Sequence, residues 1–477
     1  MLEKRDFYIN GQWVAPLSGT DHLVIDPSTE EPTTLISLGG QADVDAAVAA
    51  AKAALPGWMN TPISERIALV EKLTDVYASR SEEMAQAMSA EMGAPLEMSR
   101  TQQVGAGSWH LKNFIKAAKA FDFNHAFRSE NNRIIYEAVG VAALITPWNW
   151  PMNQVTLKVG AAAVAGCTMV LKPSEESPLN AMLFAEMMDE AGFPPGVFNL
   201  VNGDGIGVGT MLSGHADVDM VSFTGSSRAG RLISKNAADT LKRVHLELGG
   251  KGANVIFDDA DDKAVKRGVL RMMNNTGQSC NAPSRMLVQR GIYDAAVEQA
   301  AAVASKVTVG PASEEGRHIG PVVNETQWTK IQDLIQKGID EGARLVAGGS
   351  GRPEGFNKGY FIRPTVFADV NNQMTIAREE IFGPVLSIIP FDTEEEAVEI
   401  ANDTPYGLTN YVQTQDGDRL NRMARQLRSG MVEMNGASGA PGAPFGGMKQ
   451  SGNGREGGTW GLEDFLEVKS VAGWAAE

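Results

Sequence analysis

The residue of this sequence best suited to covalent chemistry is Cys280, which lies among small and polar residues in the stretch RMMNNTGQSCNAPSR, residues 271–285. A structural cysteine usually occupies an apolar run and behaves as a small hydrophobic residue. A cysteine that must attack a substrate instead needs partial exposure and a lowered pKa. A single cysteine is a weak motif, so the stretch alone is compatible with a nucleophilic thiolate and equally with a solvated loop thiol.

Strands and helices alternate upstream of Cys280 at short, regular spacing. The predicted strands and the helices between them are 168–172, 178–191, 197–201, 206–213, 220–223, 226–238 and 243–248. This alternation is typical of βαβ units on a parallel sheet, whose ligands bind outside the carboxyl ends of the strands. The residues predicted at those ends are Lys172, Glu175, Gly225, Ser226 and Glu247.

The segments before this region are mainly helical by pattern. A hairpin is predicted about Asn10-Gly11, followed by helices at residues 42–55, from Thr61-Pro62 to Glu91, and at 98–117. Residues 122–132 are polar and predicted to be irregular, whereas the apolar residues 133–145 are predicted to form a buried strand. The Thr-Pro-Trp-Asn-Trp-Pro turn at 146–151 ends that strand and precedes a helix.

Length and composition limit the class of protein. With 477 residues the chain is too long for one ordinary core, and a second α/β block at about 249–435 fits two or three domains. A net charge of −16 disfavours nucleic acid and anionic membrane as partners. Two cysteines exclude a disulfide scaffold and a four-cysteine zinc site, so we expect no metal and a reducing compartment. The N-terminus lacks the apolar core of a signal peptide, and we therefore predict a cytoplasmic protein.

Five separated motifs resemble the aldehyde dehydrogenase superfamily, and the resemblance extends over nearly the whole chain. The motifs are residues 146–151 (TPWNWP), 246–251 (LELGGK), 277–280 (GQSC), 379–384 (EEIFGP) and 444–452 (PFGGMKQSG). The resemblance implies the hydrolytic, NAD(P)-dependent type of the family. It also implies an α/β fold with a Rossmann-like cofactor domain (1–117 and 139–248), a second α/β catalytic domain (249–448) and a small β oligomerisation arm (118–138 and 465–477). Such an arm predicts a homodimer or a homotetramer.

The resemblance also assigns roles to four catalytic residues. Cys280 resembles the nucleophile, and the side-chain amide of Asn149 with the backbone N–H of Cys280 resembles an oxyanion hole. Glu247 resembles the general base that releases the product, and Lys158 a proton-relay or hydrogen-bond partner. Ordinary structural roles remain open for each. Asn149 could satisfy its own turn, Glu247 could form a surface ion pair with Lys251 or Arg243, and Lys158 could be a solvated helix residue.

Cofactor residues follow from the same resemblance. Those expected to contact it are Thr146, Pro147, Trp148, Lys172, Glu175, Gly225, Ser226, Gly250, Glu380 and Phe382. Glu175 can accept from ribose hydroxyls and would repel a 2′-phosphate, which favours NAD, although the neighbouring Lys172 leaves NADP possible. The Gly225-Ser226 turn opens a helix and suits a pyrophosphate. Glu380 is expected to hold the nicotinamide ribose, and Phe382 to pack near the nicotinamide.

The loop at residues 436–443 contains only small residues and Pro441, which suggests a wide entrance for bulky or aromatic aldehydes. The residues expected to line the rest of this substrate site are Trp150, Met152, Gln154, Leu157, Ser279 and Asn281. The predicted reaction is therefore oxidation of an aldehyde to its acid through a thiohemiacetal and a thioester. Two alternatives remain: a CoA-acylating semialdehyde dehydrogenase, whose branch typically lacks the glutamate base, and a non-catalytic binding protein on the same fold. A cysteine hydrolase fits poorly, because the resemblance offers no histidine partner for Cys280.

Overall fold

The computed structural model describes residues 1–475, and the last two residues of the predicted arm, 476 and 477, lie outside the described residues. Within the described range the strands are, in chain order, β1 (Leu2–Lys4), β2 (Phe7–Ile9), β3 (Gln12–Val14), β4 (Thr20–Asp26), β5 (Glu31–Leu38), β6 (Asn124–Phe127), β7 (Ser129–Ala138), β8 (Val141–Ile145), β9 (Thr168–Lys172), β10 (Phe198–Leu200), β11 (Met220–Thr224), β12 (Arg243–Glu247), β13 (Ala253–Ile256), β14 (Arg285–Gln289), β15 (Arg344–Ala347), β16 (Thr365–Ala368), β17 (Val385–Phe391), β18 (Thr409–Gln413), β19 (Met431–Met434), β20 (Gly452–Asn453) and β21 (Leu466–Ala472).

Helices connect and cover these strands. They are, in chain order, α1 (Gln41–Met59), α2 (Ile63–Ser79), α3 (Ser81–Met92), α4 (Leu96–Met98), α5 (Val104–Ala120), α6 (Pro151–Ala165), α7 (Leu179–Ala191), α8 (Val208–Gly214), α9 (Ser227–Ala237), α10 (Ala264–Met273), α11 (Tyr293–Ala304), α12 (Glu325–Asp340), α13 (Thr375–Arg378), α14 (Glu394–Asn402), α15 (Gly417–Gln426) and α16 (Gly458–Glu463). A π-helical segment, Ser99–Gln103, joins α4 to α5.

The first sheet has eight strands in the order β20-β12-β11-β8-β9-β10-β2-β3. Its five central strands, β12 to β10, are parallel, whereas β20 and the β2–β3 hairpin add antiparallel edges. The chain starts this parallel set at β8 and builds outward first on one side and then on the other. This is the doubly wound order, and its switch point lies between β8 and β11, where such sheets bind ligands.

The second sheet has seven strands in the order β15-β16-β17-β14-β13-β18-β19. Neighbouring strands from β16 to β19 are parallel, and β15 pairs antiparallel with β16 at one edge. The predicted α/β fold class, with a Rossmann-like sheet and a second α/β sheet, is therefore confirmed. The domain boundaries proposed from the sequence remain a prediction.

A third, antiparallel sheet corrects one expectation. Residues 122–132, predicted to be irregular, contain β6 and the start of β7, and β21 from the C-terminus completes the order β21-β7-β6. The polar side chains were misleading because these strands are largely exposed, so the apolar alternation that signals a half-buried strand is absent. The apolar run 133–145 is likewise two strands in different sheets, divided at Gly140, whose φ is +133°.

Two other expectations are corrected near the N-terminus. The helix expected from Thr61-Pro62 to Glu91 is two helices, α2 and α3, because Arg80 leaves the helical conformation between them (φ −107°, ψ 18°). The β4–β5 hairpin was not predicted, and it forms a small sheet with β1. The hairpin about Asn10-Gly11 is confirmed as β2 and β3. Among residues 1–475, no helix combines the length and the apolar character needed to cross a bilayer.

Candidate active site

The switch point of the first sheet gathers the turns that follow β8 and β11. Helix α6 begins at Pro151, whose missing N–H costs nothing at the first helical position, and ends at Gly166 in the left-handed conformation (φ +94°). Lys158 Nζ in α6 donates to Thr224 Oγ1 at the end of β11, at 2.8 Å. This bond ties the helix that carries the Trp-Asn-Trp turn to the neighbouring strand.

The backbone before Cys280 is strained. Asn275, Thr276 and Gly277 have φ of +50°, +57° and +72° in succession, and a left-handed conformation costs a non-glycine residue about 1–3 kcal/mol. Gly277 is required sterically as well, because a Cβ there would lie 2.2 Å from the Gly383 carbonyl oxygen. Thr276 Oγ1 donates to the Gly320 carbonyl (2.9 Å). Such strain persists only where surrounding contacts hold it, and here they fix the position of Cys280.

Asn149 is locked onto this strained loop. Its side-chain Nδ2 donates to the carbonyl of Gln278 at 3.0 Å, and its own carbonyl accepts from Asn275 Nδ2 at 2.8 Å. The Gln103 side chain, from the π-helical segment, donates to the same Asn149 carbonyl at 3.1 Å. Asn149 is only 5% exposed, so its bonds do more than satisfy its own turn. Two sequence motifs separated by 129 residues thus form one hydrogen-bonded unit.

The Cys280 thiol is partly exposed, as a nucleophile requires. Burial of the sulfur, followed by the negative charges of Glu380, Glu247 and Glu456, raises its pKa, and the backbone N–H of Asn281 opposes this rise. The lowered pKa expected for a reactive cysteine is therefore wrong for this structure. A base must take the thiol proton before the sulfur can attack.

Glu247 is buried without a close partner. It is 2% exposed, and within the described part of the chain neither of its carboxylate oxygens accepts a hydrogen bond. Burial, with a smaller contribution from Glu456, raises its pKa to about 7, while His245 and Lys158 oppose the rise. The alternative of a surface ion pair with Lys251 or Arg243 is wrong. A carboxyl that titrates near neutral pH is suited to general acid–base chemistry.

Lys158 is fully buried, so its alternative as a solvated helix residue is also wrong. Its ammonium forms an ion pair with Glu456 Oε1 at 2.5 Å. Thr224, which accepts from Lys158, donates in turn to Gln154 Oε1 at 3.0 Å. Sequence reasoning missed Glu456 because it stands alone in a glycine-rich stretch, where no periodicity signals burial.

A second carboxylate, Glu380, lies against the two glycines that follow the strand of Glu247. Its Oε1 accepts from the Gly250 N–H at 2.9 Å, and a Cβ on Gly249 would lie 2.2 Å from its Oε2. Next to it, the rings of Phe382 and Trp148 meet edge to face, with centroids 5.5 Å apart. Phe382 has a φ of +62°, so its backbone is held in a strained conformation that presents the ring.

The remaining predicted cofactor residues lie at the strand ends, as expected. Lys172 Nζ donates to Glu175 Oε2 at 3.2 Å, and the Thr146 N–H donates to the Lys172 carbonyl at 3.1 Å, which joins the ends of β8 and β9. Ser226 caps α9 by accepting from the Ala229 N–H at 3.2 Å. Gly225 lies above the Phe223 ring, which a Cβ would approach to 2.5 Å. Pro147 follows Thr146 and is half-buried.

These groups together fit a dinucleotide. Glu175 and Glu380 offer carboxylates to sugar hydroxyls, and α9 presents free N–H groups and a positive dipole end to phosphates. The Gly249-Gly250 pair leaves the backbone open where side chains would obstruct an approaching ring.

Cys280 opens onto a cavity of about 1140 Å³. Five of the predicted substrate residues line it: Trp150, Gln154, Leu157, Ser279 and Asn281. Trp150 Nε1 donates to Ser279 Oγ at 2.8 Å, which orients the indole at the cavity wall. Met152 is a correction, because it is fully buried in the core under α5 and does not reach the cavity.

One wall of the cavity was not predicted. It comes from the π-helical segment and α5, through Gln102, Ala106, Trp109, His110 and Asn113. Their spacing of three or four residues signals a common helical face, but a sequence does not show which surface that face meets. The small-residue loop at 436–443 forms the opposite wall. Among residues 1–475, no cluster of three or more His, Cys, Asp and Glu side chains is arranged to hold a metal ion.

Comparison with known proteins agrees with this geometry. The model of the aldehyde dehydrogenase family matches residues 13–471. A 3-succinoylsemialdehyde-pyridine dehydrogenase from Pseudomonas sp. is 51% identical over 476 residues, covering 99% of both chains.

Solved structures are equally similar. The aldehyde dehydrogenase of Bartonella henselae has a TM-score of 0.99 at 59% identity, covering 99% of this chain and 100% of the other. A cysteine-to-alanine mutant of aldehyde dehydrogenase C from Pseudomonas syringae, solved with NAD+ and octanal, has a TM-score of 0.97 at 48% identity and covers 99% and 97%. The chain therefore belongs to the aldehyde dehydrogenase family.

Proposed function

We propose that this protein oxidises an aldehyde to the carboxylic acid with NAD(P)+, through a covalent intermediate on Cys280. The observation that carries the proposal is the meeting of three distant groups. A partly exposed cysteine opens onto a large cavity, the Asn149 amide is bonded to the cysteine loop, and the buried carboxyl of Glu247 acts on the cysteine's pKa.

The first half of the reaction forms a thioester. Glu247 takes the proton of Cys280, and the thiolate adds to the aldehyde carbonyl to form a thiohemiacetal oxyanion. The Asn149 amide and the Cys280 N–H donate to that oxyanion, and each such donor contributes roughly 10²–10³ in rate. When bound, the oxidised nicotinamide accepts the hydride of the aldehyde carbon. The carbonyl then re-forms as a thioester to Cys280.

The second half releases the acid. Glu247, deprotonated again, takes a proton from water as the water oxygen adds to the thioester carbon. Collapse of the tetrahedral adduct breaks the C–S bond and returns the thiolate of Cys280. The sum is aldehyde, NAD(P)+ and water giving carboxylate, NAD(P)H and two protons. Lys158, paired with Glu456, contributes a buried positive charge that offsets the carboxyl groups beside it.

We expect NAD to be preferred over NADP. Glu175 stands at the end of β9, where a carboxylate accepts from ribose hydroxyls and repels a 2′-phosphate. Lys172 is already paired with Glu175 at 3.2 Å, so its charge is partly compensated. The three-stranded sheet of β6, β7 and β21 remains our candidate for the oligomerisation arm, and with it a homodimer or homotetramer.

The cavity favours bulky or aromatic aldehydes. Its volume of about 1140 Å³ exceeds the roughly 300–1,000 Å³ of ordinary small-molecule pockets. The Pseudomonas relative is named for a semialdehyde that carries a pyridine, and the P. syringae structure contains octanal. Both names agree with a substrate larger than a short aliphatic aldehyde.

We expect kcat/KM for benzaldehyde and octanal to exceed that for acetaldehyde by at least about tenfold, because each buried methylene contributes roughly 1 kcal/mol of discrimination. Steady-state kinetics with NAD and with NADP would measure this and the cofactor preference together. As a control, Ala437→Phe fills part of the cavity from the exposed loop and should lower turnover of the large substrates more than that of acetaldehyde. A clear preference for acetaldehyde in the unmodified protein would contradict the proposed substrate class.

The product distinguishes hydrolysis from acyl transfer to CoA. We expect one equivalent of free acid per NADH without CoA, because Glu247 supplies the base that hydrolysis needs. Added CoA should change neither the rate nor the product, as measured by mass spectrometry of the acid and absorbance of NADH. Strict dependence on CoA would establish the semialdehyde alternative, and absence of NADH formation with every aldehyde would favour the binding protein.

A further inference from the structure

Three buried or partly buried titratable side chains form a line that ends at Glu247. His245 Nε2 lies 3.7 Å from Glu247 Oε1, and His245 Nδ1 lies 2.7 Å from Asp464 Oδ2. His245 is 3% exposed and Glu247 2%, whereas the Asp464 side chain is 31% exposed. The imidazole thus bridges the buried carboxyl to a carboxylate that reaches solvent.

Local structure sets this alignment. His245 and Glu247 are two residues apart on β12, so their side chains leave the same face of the sheet. Asp464 immediately follows α16, and its Oδ2 also accepts from the Arg455 N–H at 3.0 Å. The packing is tight, since a Cβ on Gly454 would lie 2.8 Å from Asp464 Oδ2 and 2.9 Å from His245 Nδ1. Neither ring nor carboxylate has room to turn away.

The charges around the two groups are unequal. Glu247 faces His245, Glu456 and Lys158, and Lys158 is already paired with Glu456 at 2.5 Å. His245 faces Asp464, Glu247 and Glu456. Burial works against a charged imidazole, but Asp464 and Glu247 outweigh burial and raise the pKa of His245 to about 9. At neutral pH the imidazolium is therefore the positive charge not already committed to another carboxylate that faces Glu247.

We propose that His245, held by Asp464, is a positioning residue that keeps the Glu247 carboxylate ionised and directed while the thioester is hydrolysed. The proposal rests on the proposed function, in which Glu247 is the base. The imidazolium supplies a charge that water would supply at an exposed site, and this lets a fully buried carboxyl act as a base at neutral pH. Asp464 fixes the ring in the orientation that presents Nε2 to Glu247.

Loss of the charge has a definite sign. A neutral residue at 245 removes a cation from beside a carboxylate, so the pKa of Glu247 rises. The base is then protonated over more of the pH range, and the acidic limb of the hydrolysis rate moves to higher pH. We expect a shift of at least about one pH unit for an opposite charge at this separation. Formation of the first NADH precedes hydrolysis and should be affected less.

The test compares His245→Gln, His245→Ala and Asp464→Asn in the full-length protein, with acyl-enzyme decay followed by rapid quench and mass spectrometry from pH 5 to 10. Glutamine keeps a hydrogen-bond donor without the charge, so it separates charge from hydrogen bonding. We expect both His245 variants to accumulate the thioester at pH 7 and to recover hydrolysis at high pH. Asp464→Asn should shift the limb in the same direction by less, because its imidazole is still present.

His215→Gln is the matched control, because His215 Nε2 pairs with Asp45 at 3.2 Å away from the site. It should leave the profile unchanged. An unmoved acidic limb in the His245 variants, or a loss that is equal at every pH, would overturn the proposal. If the His245 variants fail to fold, the Asp464→Asn profile decides in the same way. Absence of any thioester in the unmodified protein would instead refute the proposed function, so the two failures are distinguishable.

Discussion

Cys280→Ala is expected to abolish aldehyde-dependent NADH formation, with a fall of at least about 10⁴-fold. Removal of the nucleophile eliminates both covalent steps, because neither the thiohemiacetal nor the thioester can form. Asn149 and Glu247 would remain in place, so substrate and cofactor should still bind. Stopped-flow absorbance of NADH and intact mass spectrometry after mixing with aldehyde would measure the effect. Neither a burst of NADH nor an acylated protein should appear.

Cys167→Ala provides the matched control, since it makes the same chemical change at the other cysteine. Cys167 is fully buried beside the Phe465 carbonyl, at 3.4 Å from its oxygen, and its pKa is raised by burial to about 11. We expect a modest loss of thermal stability from the vacated volume and unchanged turnover. Undiminished activity in Cys280→Ala would refute the nucleophile assignment and with it the covalent route.

Glu247→Gln should leave the first turnover intact and block the second. The amide cannot accept a proton from water, so the thioester accumulates and steady-state turnover falls by about 10²–10⁴-fold. One equivalent of NADH per site should appear as a burst, because acylation comes before hydrolysis. In the unmodified protein, hydrolysis should decline as pH falls through about 7, because a raised pKa means that the carboxyl of Glu247 becomes protonated there. The variant should lose this pH dependence.

Glu91→Gln separates a catalytic titration from a structural one. Glu91 is also fully buried, with a pKa raised by burial to about 7, but it accepts from the Leu179 and Asn180 N–H groups at the start of α7. We expect Glu91→Gln to lower the melting temperature without changing the burst or the pH profile. A linear NADH trace without a burst in Glu247→Gln, at an undiminished rate, would contradict the role of Glu247.

The two results together order the reaction. Loss of the burst in Cys280→Ala and its retention in Glu247→Gln would place the sulfur before the carboxyl in time. A variant that lost both steps through misfolding would show neither burst nor binding. Measuring NAD binding by fluorescence in both variants therefore keeps the chemical and the structural explanations apart.

Local chemistry explains which elements were predictable. Turn and capping residues act within a few positions, so Asn10-Gly11 correctly predicted the β2–β3 hairpin and Gly166 ends α6 by a left-handed cap. Continuous apolar runs predicted β8, β9 and β11 because strands buried on both faces need no alternation. Exposed strands such as β6 carry neither signal, and for that reason residues 122–132 were misjudged.

Long-range contacts explain what was not predictable in the site. Glu456 and Asp464 lie more than 200 residues from Glu247 in the chain, and no spacing rule connects them. The burial that sets the pKa of Glu247 and the partner that makes Lys158 a buried ion pair arise only when β12, α6 and the C-terminal segment pack together. The raised pKa of Cys280 has the same origin, since its causes are burial and carboxylates from distant segments.

By itself the sequence determined the α/β class, the family and the identities of the cysteine, the amide and the carboxyl that the chemistry needs. These depend on residue type and short-range order, which the sequence carries directly. Tertiary structure alone decided the protonation of those groups, the volume of the cavity beside Cys280 and the line from Asp464 through His245 to Glu247. The physical reason is that desolvation and charge–charge energies depend on three-dimensional distance, and packing between remote segments sets that distance.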